Sequence, residues 1–132
     1  MGFKIMKRCM IVDDSSVIRK VAKRILSSPE LLVIEASSAT EALYMCQADM
    51  PHIIVLDTTL QDMDMVDFIR QAIAIESEIK PQIVVCVTQF DIGTIMRAKR
   101  AGAKGYILKP FNRQLLLERF RAMDLMEAAQ AA

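Results

Sequence analysis

The sequence His52-Ile53-Ile54-Val55-Leu56-Asp57-Thr58-Thr59 decides the fold of this chain. Its four consecutive aliphatic residues have no polar alternation, so they predict a strand that is covered on both faces, as in a parallel sheet between helices. Asp57 would lie at the carboxyl end of that strand, which is the edge where ligands bind in open α/β sheets. Asp is also a common turn residue. A functional role for Asp57 therefore depends on what the other strands bring to the same edge.

The length of 132 residues fits one domain, which we assign to residues 1–132, with a core of about residues 8–122. Hydrophobic residues make up 53% of the chain, slightly above the usual range of about 45–50%. Seventeen basic and sixteen acidic residues give a net charge of +1. Because no overall field favours polyanions, we expect neither nucleic acid nor a membrane surface as a partner.

The cysteines indicate the redox environment in which the protein functions. Cys9, Cys46 and Cys86 are far apart and each falls in an apolar segment, so we interpret them as core residues in a reducing environment. Residues 1–8 lack the apolar segment of a signal peptide, and no stretch approaches the roughly 20 apolar residues of a membrane span. We expect a soluble, cytoplasmic protein.

Five apolar runs alternate with five segments of helical spacing. The predicted strands are 8–12, 31–34, 53–57, 83–87 and 106–108. Helix caps are expected at Ser15 or Ser16, at Ser37 or Ser38, and at Asp91, with Gly102 ending the fourth helix. The apolar positions of the fourth helix are Ile92, Ile95 and Met96. The residues expected to face inward in other helices include Val17, Ile18, Val21, Ala22, Ile25 and Leu26, then Val66, Ile69, Ala72 and Ile73, then Leu115, Leu116, Phe120 and Met123. This alternation predicts a doubly wound α/β sheet with right-handed crossovers, and residues 123–132 form a helix extension or a frayed tail.

Polar residues follow four of the predicted strands. Asp13 and Asp14 follow the first, Asp57 ends the third, Thr88 follows the fourth, and Lys109 follows the fifth. Carboxylates are hard oxygen ligands that suit Mg²⁺, which commonly takes one or two of them together with phosphate oxygens. A hydroxyl and an ammonium group nearby would neutralise a phosphoryl group during transfer, with an Asp as the nucleophile.

These residues belong to motifs that occur together in one family. The motifs are Val12-Asp13-Asp14-Ser15, Leu56-Asp57, Val87-Thr88, Ala101-Gly102-Ala103 and Tyr106-Ile107-Leu108-Lys109-Pro110-Phe111. In this order and spacing, from about residue 8 to 120, the chain resembles the receiver domain of two-component response regulators, in particular the single-domain chemotaxis regulators. The resemblance implies a flavodoxin-like (βα)5 fold with a five-stranded parallel sheet in the order 2-1-3-4-5.

The resemblance also implies a phosphoacceptor and a metal site. Asp57 would take a phosphoryl group from the phosphohistidine of a histidine kinase or histidine phosphotransfer protein. Asp14, Asp57 and the backbone carbonyl of Thr59 would ligate Mg²⁺, and Asp13 would act through water. The alternative is a purely structural role, in which Asp13 and Asp14 only cap a helix.

The remaining motif residues would form the switch. Thr88 would bond a phosphate oxygen and move toward it, Lys109 would pair with another oxygen, and Tyr106 would turn inward when Thr88 moves. Tyr106 could instead be only an edge-strand aromatic. The Lys109-Pro110 bond is expected to be cis, as in such family members.

The chain departs from the family pattern beside the site. Receivers usually carry Met-Pro-x-Met-Asp-Gly where residues 60–65 read Leu-Gln-Asp-Met-Asp-Met. Gln61 lacks the fixed φ of proline, and Met65 lacks the freedom of glycine, so we expect a more mobile or differently shaped loop. Gln89 stands where the family favours Ala or Gly. These changes motivate an alternative, a degenerate receiver that acts as a phosphate-independent interaction module.

We expect a stand-alone bacterial response regulator that signals by conformational change and contact with an unknown downstream protein. It would catalyse only its own phosphorylation and dephosphorylation, so we class it as a signalling protein and not an enzyme, and as a monomer or weak dimer. Val17, Ile18 and Arg19 of the first helix are candidates for docking the phosphodonor. A nucleotide- or flavin-binding protein of the same fold is a weaker rival, because no glycine-rich loop follows the first strand.

Overall fold

The computed structural model describes residues 6–125 and contains five strands and five helices in that range. They alternate along the chain as β1 (Lys7–Val12), α1 (Ser16–Leu26), β2 (Leu31–Ala36), α2 (Ala39–Ala48), β3 (Ile53–Asp57), α3 (Met65–Ala74), β4 (Gln82–Val87), α4 (Ile92–Ala101), β5 (Gly105–Leu108) and α5 (Arg113–Ala122). The predicted alternation is confirmed, although β2 extends to Ala36 and not to Ile34.

All neighbouring strands are parallel, and their order is β2-β1-β3-β4-β5. The expected fold class and strand order are thus confirmed. In the register, Val12 lies beside Leu56, and Val87 lies beside Leu108. Because the strands run in the same direction, the residues that follow them meet at one edge of the sheet.

Side chains from alternate strand positions enter two separate cores. On one face, Met10 and Val12 belong to a cluster that includes residues of α2, α3 and α4. On the other face, Cys9 and Ile11 belong to a cluster that includes residues of α1 and α5. This burial on both faces explains the uninterrupted apolar run of β3, whose five residues are all buried.

The predicted helix termini are largely correct. The Ser15 hydroxyl accepts a hydrogen bond from the Ile18 amide at the start of α1, and the Ser38 hydroxyl accepts one from the Glu41 amide at the start of α2. Asp91 caps α4. Gly102 ends α4 with a φ of 125°, a conformation that favours glycine.

The inward face of several helices is narrower than the helical spacing predicted. Phe68 is fully buried, although it was not among the expected inward residues. Three residues expected to face inward are exposed: Val17 (68%), Ile73 (43%) and Leu115 (49%). Residues at the margin of an apolar stripe satisfy the helical period but lie beyond the strip that the sheet covers.

The carboxyl-terminal end of the described chain is well packed. Met123 and Leu125 are buried in the core that contains α1 and α5. The alanine-rich end, residues 128–132, for which fraying was predicted, lies outside the described residues. Within residues 6–125, every helix is too short or too polar to cross a membrane.

The three cysteines are buried free thiols, as the sequence predicted. Burial raises the pKa of Cys46 to about 11. Burial also raises the pKa of Cys86 to about 12, although the nearby Lys109 opposes that shift. The Cys9 pKa is raised still further, by burial and by Cys86.

Candidate functional site

Asp57 is the last residue of the central strand β3, and its carboxylate is hydrogen-bonded by Thr59. Only 3% of its surface is exposed. Its Oδ1 accepts hydrogen bonds from the Thr59 amide at 3.2 Å and the Thr59 hydroxyl at 3.1 Å. The same hydroxyl lies 3.2 Å from Oδ2. This local turn fixes the orientation of a nearly buried carboxylate at the sheet edge.

The β1 strand brings a second buried carboxylate to Asp57. Asp13 is 2% exposed, and its Oδ1 accepts a hydrogen bond from the Ser15 amide at 2.9 Å. Its backbone carbonyl accepts one from the Arg19 guanidinium at 2.7 Å. Asp14 is exposed, yet Asp13, Asp14 and Asp57 each offer a carboxylate oxygen within 4.8 Å of the others. The structure thus brings together the three acids that the sequence singled out.

Lys109 pairs with both buried acids. Its Nζ lies 3.0 Å from Asp13 Oδ2 and 3.3 Å from Asp57 Oδ1. Burial lowers the Lys109 pKa, but the two carboxylates outweigh burial and hold the pKa above its ordinary value. Lys109 is followed by Pro110 in a cis peptide bond, as expected. The ammonium group balances only part of the charge of the cluster.

The donor set fits the Mg²⁺ ion that the resemblance implied. Two buried carboxylates and one exposed carboxylate supply hard oxygens, and with Lys109 they leave an excess of two negative charges. A divalent cation would compensate that charge. The expected role of the Thr59 carbonyl stays a prediction; this oxygen accepts a hydrogen bond from Gln61 Nε2 at 3.4 Å.

Thr88 and Gln89 follow β4 at the same edge. Both are exposed, and both line an open cavity of about 150 Å³ together with Thr58 and Thr59 of the loop after β3. This opening is rich in hydroxyl groups and adjoins the loop that follows Asp57. The expected movement of Thr88 stays a prediction.

Tyr106 is held from two sides by residues that the sequence did not single out. Its ring makes an edge-to-face contact with Phe90, with ring centres 5.7 Å apart. The Arg119 guanidinium lies 4.6 Å from the ring centre and donates hydrogen bonds of 3.1 and 2.9 Å to the Tyr106 carbonyl. Sequence patterns give no signal for these contacts, because they join side chains that are 13 and 16 residues apart and lie in different segments of the chain.

The loop that departs from the family pattern is attached to the rest of the protein at several points. The Thr58 amide donates to the Cys86 carbonyl, and Asp64 caps α3 by accepting from the Val66 amide at 3.0 Å. Between them, Asp62 accepts hydrogen bonds from the first residues of α2. Met65 is the first residue of α3 and is not among the described residues with positive φ, so this position does not require glycine.

A doubly wound parallel sheet whose strand ends bring together three carboxylates, a threonine and a lysine defines the receiver class of α/β domain. The chain belongs to the response regulator receiver domain family, which its residues 9–121 match. It is similar to the chemotaxis protein CheY of Thermotoga maritima, with 32% identity over 113 residues, 85% of this chain and 92% of that protein. It is also similar to the chemotaxis protein CheY of Listeria monocytogenes, at 31% identity over 86% of this chain and 94% of that protein.

Solved structures agree with this assignment. The chemotaxis response regulator CheY4 of Vibrio cholerae superposes with a TM-score of 0.80 at 28% identity, covering 89% of this chain and 98% of that chain. A CheY-like receiver domain protein from Methanospirillum hungatei gives a TM-score of 0.79 at 27% identity, covering 93% and 98%. The chain is therefore a CheY-like receiver of the kind found in two-component signalling.

Proposed function

We propose that this protein is a response regulator that accepts a phosphoryl group on Asp57 in a Mg²⁺-dependent reaction and signals through contact with another protein. The observation that carries the proposal is the position of the Lys109 ammonium between Asp13 and Asp57, at 3.0 and 3.3 Å. A cation that contacts a nearly buried carboxylate can also neutralise a phosphoryl group attached to it.

In the proposed reaction, a carboxylate oxygen of Asp57 attacks the phosphorus atom of a phosphohistidine. The new bond joins that oxygen to phosphorus, and the bond from phosphorus to the imidazole nitrogen breaks, with its electron pair left on the nitrogen. Lys109 and the Thr88 hydroxyl each stabilise one equatorial phosphate oxygen. Asp14, Asp57 and the Thr59 carbonyl would hold Mg²⁺, with Asp13 acting through water, and the ion would supply further charge neutralisation.

The proposed output surface comprises α4, β5 and α5. A cavity of about 470 Å³ there is lined by residues that include Phe90, Tyr106, Leu108, Leu115 and Arg119. Phe90 is 62% exposed and Leu115 is 49% exposed, so apolar surface is available for a partner protein. Inward rotation of the Tyr106 side chain would break the contacts of its ring with Phe90 and with the Arg119 guanidinium and change the shape of this surface.

The test is the intact mass of the protein after incubation with acetyl phosphate, with and without Mg²⁺. We expect the wild-type protein to gain one phosphoryl group only with Mg²⁺, and the Asp57→Asn variant to gain none. A folded wild-type protein that gains no phosphoryl group would contradict the proposal. The phosphate-independent interaction module would then replace it, with Gln89 and the altered loop as the first features to revert.

A further inference from the structure

Asp62 joins the loop after β3 to the start of α2, a connection that spans 22 residues of sequence. Its Oδ1 accepts a hydrogen bond from the Ala39 amide at 3.2 Å, and its Oδ2 accepts bonds from the Thr40 amide at 2.9 Å and the Thr40 hydroxyl at 2.8 Å. Hydrogen bonding from the Thr40 amide holds the pKa of the Asp62 carboxyl below its ordinary value. The carboxylate form therefore makes these bonds at neutral pH.

These bonds complete the amino terminus of α2. The first amides of a helix have no acceptor within the helix. Ser38 already accepts from the Glu41 amide, and the Ala39 and Thr40 amides find their acceptor outside the helix. Asp62 supplies both, and its negative charge also lies at the positive end of the helix dipole.

The same bonds restrict the loop that follows the phosphoacceptor. The loop is held at Thr58 by the Cys86 carbonyl and, four residues later, at Asp62 by α2. Thr59, whose carbonyl is the expected third protein ligand of Mg²⁺, lies between these two attachments. Gln61, where the family usually has proline, also lies between them. The attachments at both ends thus limit the conformations of a segment that lacks the rigidity of proline.

We propose that Asp62 is a positioning residue for the metal site: its bonds to α2 replace the missing proline and hold the Thr59 carbonyl where it can ligate Mg²⁺. The inference rests on the proposed function, because it assumes that Mg²⁺ binds at Asp14, Asp57 and Thr59. Residues that orient metal ligands typically contribute about tenfold or more to metal affinity.

The experiment compares Mg²⁺ dissociation constants, measured by titration calorimetry on unphosphorylated protein, for wild type, Asp62→Ala, Asp62→Asn and Thr40→Val. The control is Asp67→Asn, which removes the charge of an exposed acid in the first turn of α3. We expect the dissociation constant to rise about tenfold in Asp62→Ala. Smaller rises are expected in Asp62→Asn, which retains one acceptor oxygen, and in Thr40→Val, which loses only the hydroxyl bond. The control should match wild type.

Amide hydrogen exchange in metal-free protein separates this role from simple helix capping. We expect faster exchange at Ala39 and Thr40 in Asp62→Ala, together with the weaker Mg²⁺ binding, at a temperature where circular dichroism shows every variant folded. Faster exchange with an unchanged dissociation constant would overturn the inference, because Asp62 would then only cap α2.

The failure of this inference can be told apart from failure of the proposed function. If wild type binds Mg²⁺ and is phosphorylated by acetyl phosphate while Asp62→Ala binds Mg²⁺ equally well, only the role of Asp62 is refuted. If wild type neither binds Mg²⁺ nor accepts a phosphoryl group, the proposed function and the role of Asp62 are refuted together.

Discussion

Replacing Asp57 with Asn measures how the carboxylate cluster affects the stability of the metal-free protein. The substitution keeps the shape of the side chain and an oxygen that can accept from Thr59, but it removes one of three negative charges. It also removes the ion pair with Lys109, which keeps Asp13 as a partner. The sign of the effect therefore depends on whether attraction, repulsion or burial of charge dominates.

The distances allow the opposing contributions to be compared. At an effective dielectric constant of about 20, charges 3.3 Å apart attract by ~5 kcal/mol, and carboxylate oxygens that lie within 4.8 Å of each other repel by at least ~3.5 kcal/mol. Asp57 is repelled by Asp13 and more weakly by the solvent-screened Asp14, so the repulsion roughly cancels the attraction to Lys109. The remaining difference is the free-energy cost of burying the side chain. Burying a carboxylate costs several kcal/mol, and burying an amide costs less. We expect Asp57→Asn to raise the free energy of unfolding by about 1–3 kcal/mol.

The assay is urea unfolding followed by circular dichroism, in EDTA and in saturating Mg²⁺. In EDTA the variant should unfold at higher urea than wild type. Mg²⁺ at about 100 times its dissociation constant should stabilise wild type by ~2.7 kcal/mol and the variant less, so the difference should shrink or reverse. Asp67→Asn serves as the control for net charge. A variant that is less stable than wild type in EDTA would refute the reasoning and show that the ion pair with Lys109 dominates.

Three further predictions concern the rest of the fold. Phe120→Ala removes a fully buried ring and should lower the free energy of unfolding by about 3–5 kcal/mol, measured by urea denaturation; a loss below about 1 kcal/mol would contradict the described core. The Lys20 and Arg19 hydrogen bonds hold the pKa of the Glu35 carboxyl below its ordinary value, so their contribution to stability is fully present above that ordinary value and is lost as pH falls through the folded pKa. The stability advantage of wild type over Glu35→Gln should accordingly be larger at pH 7 than at pH 3, and an equal difference at both would argue against the assigned ion pairs. Val17→Glu changes a 68% exposed residue of α1 and should slow phosphoryl transfer from a phosphohistidine partner about tenfold without changing the rate with acetyl phosphate; equal slowing of both reactions would rule out docking at this helix.

The sequence was sufficient to predict the sheet and the central part of the site. Uninterrupted apolar runs such as 53–56 are typical of strands covered on both faces, and their alternation with segments of helical spacing predicts a parallel sheet. Because such strands end at one edge, the residues that follow them could be expected to meet, as Asp13, Asp57 and Lys109 do. Helix starts were also predictable, since Ser38 and Asp91 act on amides only a few residues away.

Contacts between distant elements could not be predicted in the same way. Asp62 caps α2 at Thr40, which precedes it by 22 residues, and Arg119 of α5 contacts the ring of Tyr106. No local pattern distinguishes these side chains from exposed charged residues. The docking hypothesis for α1 needs revision for the same reason, because Arg19 pairs with Glu35 and bonds the Asp13 carbonyl. Its side chain therefore supports the site from within the protein, and Val17 becomes the better candidate for partner contact.

The burial of the three cysteines has a practical consequence for labelling. Thiolate is the reactive form of cysteine, and all three native thiols are buried with raised pKa values, about 11 for Cys46 and about 12 for Cys86. Maleimide reagents at neutral pH should therefore leave the folded protein unmodified. A cysteine introduced at Tyr44, which is 77% exposed on α2, would be the preferred attachment point for a fluorophore or spin label without removal of the native cysteines.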